Sequence, residues 1–264
     1  MFRRILFLLV LCLPALAQAA DACPRIVSQS PYITRALEWM GLGPCIVGVS
    51  RYDHRDLPRT GGVIDPDADA IAALDPQLMI TSNLTAAAKW RAMAPGGAVA
   101  LRVGGFRGMA DTEQMLRDIG RAAGIADIDA RVDRYTGAWR AAAAQVGGGG
   151  RRALVMTACS GAPYSFGRGT TLHDLFTQAG IAVVADHDNI RNFRADGPAN
   201  EIENWLDELR PEIVFVLKNS RDEACNAALA RPNLLLVQLD GERFTHPGPG
   251  LIEALEQLQQ VLVP

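Results

Sequence analysis

The sequence predicts an α/β protein of two doubly wound parallel-sheet lobes joined by a single long α-helix, with a ligand cleft between the lobes. Three observations carry this prediction. Short apolar runs alternate with amphipathic segments along nearly the whole chain, the pattern of strand–helix–strand units whose strands lie parallel. Two stretches rhyme: Ala72-Ala-Leu-Asp-Pro-Gln-Leu-Met-Ile80 and Asp207-Glu-Leu-Arg-Pro-Glu-Ile-Val-Phe215 each run from a helix through Leu-x-Pro into a buried strand. Between the rhyming halves, Asp127–Val146 places Ile128, Val132, Tyr135, Trp139 and Val146 on one helical stripe, with Ala138 and Ala142 filling in. That segment would be about 30 Å long at the rise of an α-helix. It is weakest at Gly137 and stops at Gly147-Gly148-Gly149-Gly150.

The amino terminus reads as a label. Arg3 and Arg4 precede the apolar run Ile5–Leu13, then Pro14 and the small-residue pattern Ala17-Gln18-Ala19. This predicts a secretory signal peptide over residues 1–19 and an exported, soluble mature chain. The apolar run is too short to span a bilayer, and no later stretch approaches the required length. The expected organisation is then a first lobe over 20–126, the connecting helix over 127–147 and a second lobe over 148–264.

Taken in order, the first lobe should contain strands at Arg25–Ser28, Cys45–Ser50, Gln77–Thr81 and Ala98–Val103. Helices are expected at Pro31–Met40, Asp65–Leu74, Thr85–Met93 and Asp111–Ala123. Pro31 and Pro66 sit where a first helical turn tolerates proline, and Asp75-Pro76 stops the second helix. The second lobe repeats the alternation. Its strands are Arg152–Thr157, Ile181–Ala185, Glu212–Leu217 and Leu234–Leu239, and its helices Thr171–Ala179, Ala199–Leu209, Asp222–Ala230 and Gly250–Val261. Each lobe is therefore expected to hold four strands.

Charge and cysteines narrow the function. The chain has 26 basic and 29 acidic residues, and loss of Arg3 and Arg4 leaves 24 against 29. A mildly acidic chain without a basic stripe is a poor nucleic-acid binder. Cys23, Cys45, Cys159 and Cys225 remain after the leader, an even count suited to disulfides in an oxidising compartment. Cys23 and Cys45 each stand just before a predicted strand, so parallel neighbouring strands would unite them. Cys159–Cys225 is the remaining pair.

Loops after the strands carry Tyr52, Phe106, Tyr164, Phe166, Phe193 and Phe244, although aromatics make up only 6% of the chain. Flat rings suit large flat ligands. Arg51, Arg168, Arg191, Arg194, Arg221 and Arg243 are interleaved with them and could grip carboxylates or catecholates through paired N–H donors. The ligand-binding set is taken as Arg51, Tyr52, Tyr164, Phe166, Phe193, Arg243 and Phe244, with Tyr52 and Tyr164 foremost. Trp39, Trp90, Trp139 and Trp205 all fall within helices and are assigned to the core. His54, His187 and His246 lie in loops at the same end with Asp53, Asp186 and Asp188 nearby. No two share a metal-ligand spacing, so direct ion binding is the weaker alternative.

An enzyme is less well supported. The chain lacks the G-x-S-x-G elbow, the phosphate loop ending in Lys-Ser/Thr and a glycine fingerprint after the first strand. Cys159-Ser160-Gly161 with His173 as base is the only hydrolase-like arrangement, and a disulfide at Cys159 would remove its thiolate.

Four stretches occur in a telling order: Arg25-Ile-Val-Ser-Gln-Ser-Pro-Tyr-Ile-Thr34, Ile46-Val-Gly-Val-Ser-Arg-Tyr-Asp53, Pro58-Arg-Thr-Gly-Gly62, and Asp65 through Ile80. With the closing Pro247-Gly-Pro-Gly250 and final helix, the chain resembles the periplasmic binding proteins of iron-chelate and cobalamin ABC importers. The Val-Ser-x-Tyr run and Ala162-Pro163-Tyr164 are most similar to the cobalamin binders, where aromatics at these places contact the corrin ring. The resemblance implies a monomeric periplasmic receptor without a covalent cofactor. It would capture a bulky metal chelate, a corrinoid before a ferric siderophore or haem, and deliver it to a permease driven by an ATPase. Relatives of the same fold bind bare zinc or manganese. The resemblance also implies one carboxylate per lobe for permease docking, seven residues before the Leu-x-Pro proline. Asp69 matches; in the second lobe that place is Asn204, with Glu203 beside it and Glu201 a turn away. One departure is notable: where cobalamin binders often carry Trp before the second helix, this chain has Gly61-Gly62-Val63-Ile64.

Overall fold

A computed structural model of the protein describes residues 23–159, 162–193, 201–218 and 225–262. The expected leader, together with Ser160, Arg194 and Arg221, lies outside these residues.

The first sheet is wholly parallel. Its strands are β1 (Ile26–Ser28), β2 (Ile46–Val49), β3 (Leu78–Ser82) and β4 (Val99–Val103), in the order β2-β1-β3-β4. Helices α1 (Pro31–Trp39), α2 (Ala68–Ala73), α3 (Ala87–Ala92) and α4 (Met109–Ala122) connect and flank it. Local chemistry sets their ends. Pro31 occupies the first turn of α1, and the Asp67 carboxylate caps α2 by accepting from the backbone N–H groups of Asp69 and Ala70. β1 and β2 are hydrogen-bonded neighbours with Ile26 opposite Ile46. That adjacency brings Cys23 and Cys45 to a Cα separation of 5.7 Å, and they form a disulfide.

α5 (Ile128–Val146) follows, and its buried face is the predicted stripe: Ile128, Val132, Tyr135, Trp139 and Val146, joined by Ala143. It ends where Gly147 adopts φ +65°, a left-handed cap that glycine takes without steric cost. The helix packs on α4 on one side and on helices of the second half on the other. One continuous apolar core therefore runs from Ile26 and Leu37 through the α5 stripe to Phe176 and Phe215. α5 is the shared wall of that core as well as the link between the sheets.

The second sheet departs from the expected four parallel strands. It contains β5 (Arg152–Thr157), β6 (Tyr164–Phe166), β7 (Ala182–Val183), β8 (Ile190–Asn192), β9 (Ile213–Lys218) and β10 (Leu235–Asp240). The path is β10-β9-β5-β6-β8, with β7 also pairing β5. β6 runs antiparallel to both β5 and β8, so the sheet is mixed. Segments of three residues are too short to register as a periodicity, which is why β6 and β8 were not expected. The flanking helices are α6 (Thr171–Gln178), α7 (Glu201–Leu209), α8 (Gly241–Phe244) and α9 (Leu251–Leu262). The helix expected over Asp222–Ala230 is, among the described residues, only a 3-10 turn at Ala227–Leu229 started by the Asn226 cap. Cys159 and Cys225 form the second disulfide. Among the described residues no helix is long and apolar enough to cross a membrane.

Candidate ligand cleft

In parallel sheets the strand ends, where backbone groups leave the ladder, are the places at which loops can converge on a ligand. The C-terminal ends of β2, β3 and β4 lead to Tyr52, Leu84 and Phe106, while β6 runs along the C-terminal end of β5 and brings Tyr164 and Phe166 there.

The Phe106 loop is fastened to the second lobe. Thr171 donates its backbone N–H to the Phe106 carbonyl at 2.9 Å. Its hydroxyl donates to the Gly105 carbonyl at 2.8 Å and accepts from the Gly108 N–H at 3.0 Å. The Met109 N–H donates to Asp174 at 2.7 Å. Gly105 and Gly108 adopt φ +113° and +116°, where a side chain would be strained. On the first-lobe side, the Asp111 carboxylate accepts from the Gly105 and Arg107 N–H groups at 2.7 and 3.2 Å. The cleft floor is thus a hydrogen-bonded seam.

Above that seam lies a cavity of about 170 Å³ lined by Phe106, Tyr164, Phe166, Thr171, Ile190 and Phe244, among others. Phe106 stands edge-on to buried Tyr32 at 5.0 Å, and Tyr164 edge-on to Phe166 at 5.4 Å. Burial pushes the Tyr32 phenol far above its ordinary pKa; nearby Ser82 opposes this and Asp111 adds to it. Tyr32 is therefore a neutral wall element. A larger crevice of about 530 Å³ lies between the end of α7 and the starts of β9 and β10, lined by Leu206, Asp207, Arg210 and Arg231. It is at the wrong end of the sheet for a strand-end site, and its Arg231 and Asp207 are already paired at 2.7 Å.

The expected ligand residues divide into three groups. Tyr164, Phe166 and Phe244 border the cavity, although Phe166 and Phe244 are largely core residues. Tyr52 is outside its lining, 68% exposed on the first-lobe rim. The Arg51 guanidinium lies 5.9 Å from the Tyr52 ring and pairs with Asp65 at 2.6 Å. Phe193 and Arg243 are elsewhere. Phe193 is buried against Trp205 at 5.1 Å, and Arg243 pairs with Asp240 at 3.3 Å in a crevice near Arg35 and Glu242. Trp90, Trp139 and Trp205 are buried as expected, and Trp39 packs partly buried on the core.

The carboxylates singled out for docking are on helix first turns. Asp69 is exposed on α2, Glu203 exposed on α7, and Glu201 partly buried with Arg191 at 3.5 Å.

The three histidines are dispersed. His54 contacts Glu38 at 3.2 Å and Asp53 at 3.4 Å. His187 shares a 2.6 Å hydrogen bond with Ser165 and a 2.7 Å bond with the Asn189 carbonyl, and His246 bonds the Glu242 carbonyl. Among the described residues no group of three or more His, Cys, Asp or Glu side chains is placed to hold a metal ion. The hydrolase-like arrangement loses its thiolate, since Cys159 is disulfide-bonded.

Ile190 and Thr171 line the cavity and were overlooked in reasoning from the sequence. Thr171 carried no local signal, because its role depends on a partner more than sixty residues away.

No protein-family model matches the chain, and no curated protein matches it. Solved structures do. The periplasmic haem-binding protein RhuT from Roseiflexus sp. RS-1, in apo form, aligns with TM-score 0.74 at 20% identity, covering 91% of this chain and 98% of that one. The periplasmic haem-binding protein HutB of Vibrio cholerae gives 0.74 at 16% identity, covering 91% and 99%. The periplasmic vitamin B12-binding protein BtuF of Vibrio cholerae gives 0.69 at 16%, covering 90% and 96%. At these identities the likeness establishes the fold: two lobes on one long helix, shared over almost the full length of each.

Proposed function

We infer that this chain is the substrate-binding component of an ABC importer, working in the periplasm and binding rather than transforming its ligand. It captures a bulky metal chelate with flat apolar faces and passes it to a membrane permease coupled to an ATPase. The observation that carries this reading is the aromatic cavity at the strand ends of both sheets, with Phe106 from one lobe and Tyr164 from the other. Aromatic faces bind flat ligands at small entropic cost, and this fold is the one in which RhuT, HutB and BtuF hold haem or vitamin B12. A corrinoid is the first candidate, because Tyr52 and Tyr164 offer ring faces at the positions that resemble corrin contacts. Haem and ferric siderophores come next. Asp69 on α2 and Glu203 on α7, with Glu201 behind it, are the proposed permease contacts. Asp69→Lys should leave ligand affinity intact and lower uptake; undiminished uptake would remove that role.

The decisive experiment is titration of the mature protein with cyanocobalamin, cobinamide, haemin and several ferric siderophores. Tryptophan fluorescence would follow binding, and calorimetry would exclude inner-filter artefacts. At least one chelate should bind tighter than roughly 10 μM, about −7 kcal/mol. Failure of all of them withdraws the chelate reading and leaves the fold untouched.

A further inference from the structure

The crevice of about 530 Å³ beside α7 lies at the opposite end of the second sheet from the cleft, and its size is that of small-molecule sites. Leu206 and Pro211 are buried within it, Leu234 is half-buried, and Pro232 adds an exposed apolar edge. Three charged residues, Asp207, Arg210 and Arg231, share the lining. The apolar set suits a ligand body without polar groups, and the charged set decides which charge the ligand carries.

That lining is positive on balance. Asp207 accepts a 2.7 Å hydrogen bond from one nitrogen of the Arg231 guanidinium. The same bond holds the Asp207 carboxyl below its ordinary pKa, so the pair is ionised and neutral as a unit. Arg210 is different. Among the described residues its guanidinium makes no hydrogen bond or ion pair. Glu212, two residues on, is spent on the Arg152 N–H at 3.2 Å, and Glu203 and Glu208 on α7 are exposed without touching Arg210. One full positive charge therefore stands at an apolar crevice with no partner.

The turn that presents this charge is held firmly. The Arg210 N–H donates to the Leu206 carbonyl at 2.9 Å, and the Arg210 carbonyl accepts from Arg152 at 3.3 Å. The Leu209 carbonyl accepts from the same guanidinium, and buried Pro211 follows. At φ +47° the Arg210 backbone is left-handed, a conformation unfavourable to any residue with a Cβ. The first lobe builds the equivalent turn with Asp75 at φ +43°, and has Ala72 where the second has Asp207. The turn itself thus needs no arginine, and the charges at the crevice are additions of the second lobe.

We propose that this crevice is a second binding site, for a small organic acid. Its carboxylate pairs with Arg210, beside the remaining N–H groups of Arg231, and its apolar body covers Leu206, Pro211, Pro232 and Leu234. Guanidinium matches carboxylate through its paired donors. A bare dianion such as phosphate has no apolar body and would meet only one uncompensated cation. The site is independent of the cleft ligand, since neither Phe106 nor Tyr164 borders it.

The probes are phenylacetate, cinnamate and octanoate, their primary amides as uncharged analogues, and inorganic phosphate as the bare anion, all titrated by calorimetry at low salt. Wild type should bind at least one acid more tightly than roughly 1 mM. The amide of that acid, and phosphate, should bind about tenfold more weakly or worse. Arg210→Gly should lose about tenfold or more of acid affinity. It should unfold at no lower urea concentration than wild type, because glycine relieves the left-handed backbone. Asp75→Gly, the same change in the first lobe, should bind the acid as wild type does. Failure of all three acids, equal binding of acid and amide, or full affinity in Arg210→Gly overturns the site. Weakening by Tyr164→Ala but not by Arg210→Gly would seat the acid in the cleft and overturn it equally.

Discussion

Arg25 and Arg152 make the same contact in the two lobes. Arg25, just before β1, donates to the carbonyls of Leu74 and Asp75, and Arg152, at the start of β5, donates to those of Leu209 and Arg210. The backbone N–H of each also bonds the side chain two residues beyond the turn, Gln77 or Glu212. The rhyme in sequence is thus a repeated device: a strand-leading arginine closes the helix end of Leu-x-Pro. Asp75 and Arg210, the central residues, have φ +43° and +47° and are the only non-glycine residues with positive φ among those described. Left-handed backbone costs an L-residue about 1–2 kcal/mol, with Asp better tolerated than most. Arg210→Gly should therefore stabilise the protein by about 1 kcal/mol, and Asp75→Gly by less. Urea unfolding reads both, and a destabilised Arg210→Gly would contradict the assignment.

The seam at Thr171 should govern both stability and cleft geometry. Thr171→Val keeps the shape but leaves the buried Gly108 N–H without its acceptor, while the Gly105 carbonyl keeps the bond it accepts from the Thr112 hydroxyl. Buried groups stripped of a partner cost about 1–3 kcal/mol each. Loss of stability in that range, together with weaker ligand binding, is expected; a silent variant would mean that the lobes are held mainly by the α5 core.

Gly137 is the one soft place in the long helix. Its position is exposed, and an added Cβ would meet nothing within 4 Å. Gly137→Ala should raise stability by about 0.5–1 kcal/mol through helix propensity alone. Because the stripe facing the core is untouched, ligand affinity should stay the same. Equilibrium unfolding and the chelate titration check the two halves of this statement.

Acid sensitivity should trace partly to His173. Burial lowers its pKa from the ordinary 6.5, with Asp174 opposing and Arg168 and His187 adding to the shift. The unfolded chain therefore takes up the proton first, so this contribution is whole above about pH 6.5 and is lost as pH falls toward the lower folded value. The thermal midpoint should drop between about pH 7.5 and 5.5, and His173→Gln should shrink that drop. Equal drops in the two proteins would acquit the histidine.

Tyr52 and Tyr164 are the proposed ligand contacts on opposite lobes. Each replacement by Ala should weaken binding of the cognate chelate by about 1 kcal/mol or more, as aromatic anchors do. Tyr52, at 68% exposure, should change affinity without changing stability. If both variants bind as wild type does, the cleft is misplaced.

The two-lobed α/β architecture and the course of α5 were legible in the residues, through apolar runs at the strand period and a stripe at steps of three and four. Of the three possible disulfide pairings the observed one was favoured, Cys23–Cys45 from its place before two strands and Cys159–Cys225 only as the remaining pair. The Leu-x-Pro rhyme was legible for the same reason, since one turn and one proline carry it. The site was legible only as a class of loops. Tyr164 was singled out because aromatics after strands stand out, and the same rule singled out Phe193, which is buried against Trp205; nothing local distinguished the two. Sequence by itself determined where the chain turns and which face of each element is apolar, because those depend on neighbours a few residues away. Tertiary structure alone decided that β6 reverses direction beside β5, that Thr171 locks the Phe106 loop, and that Thr85 ties itself to the Val63 carbonyl. Each of these depends on a hydrogen bond between segments distant along the chain, and such a pairing leaves no period or composition to read.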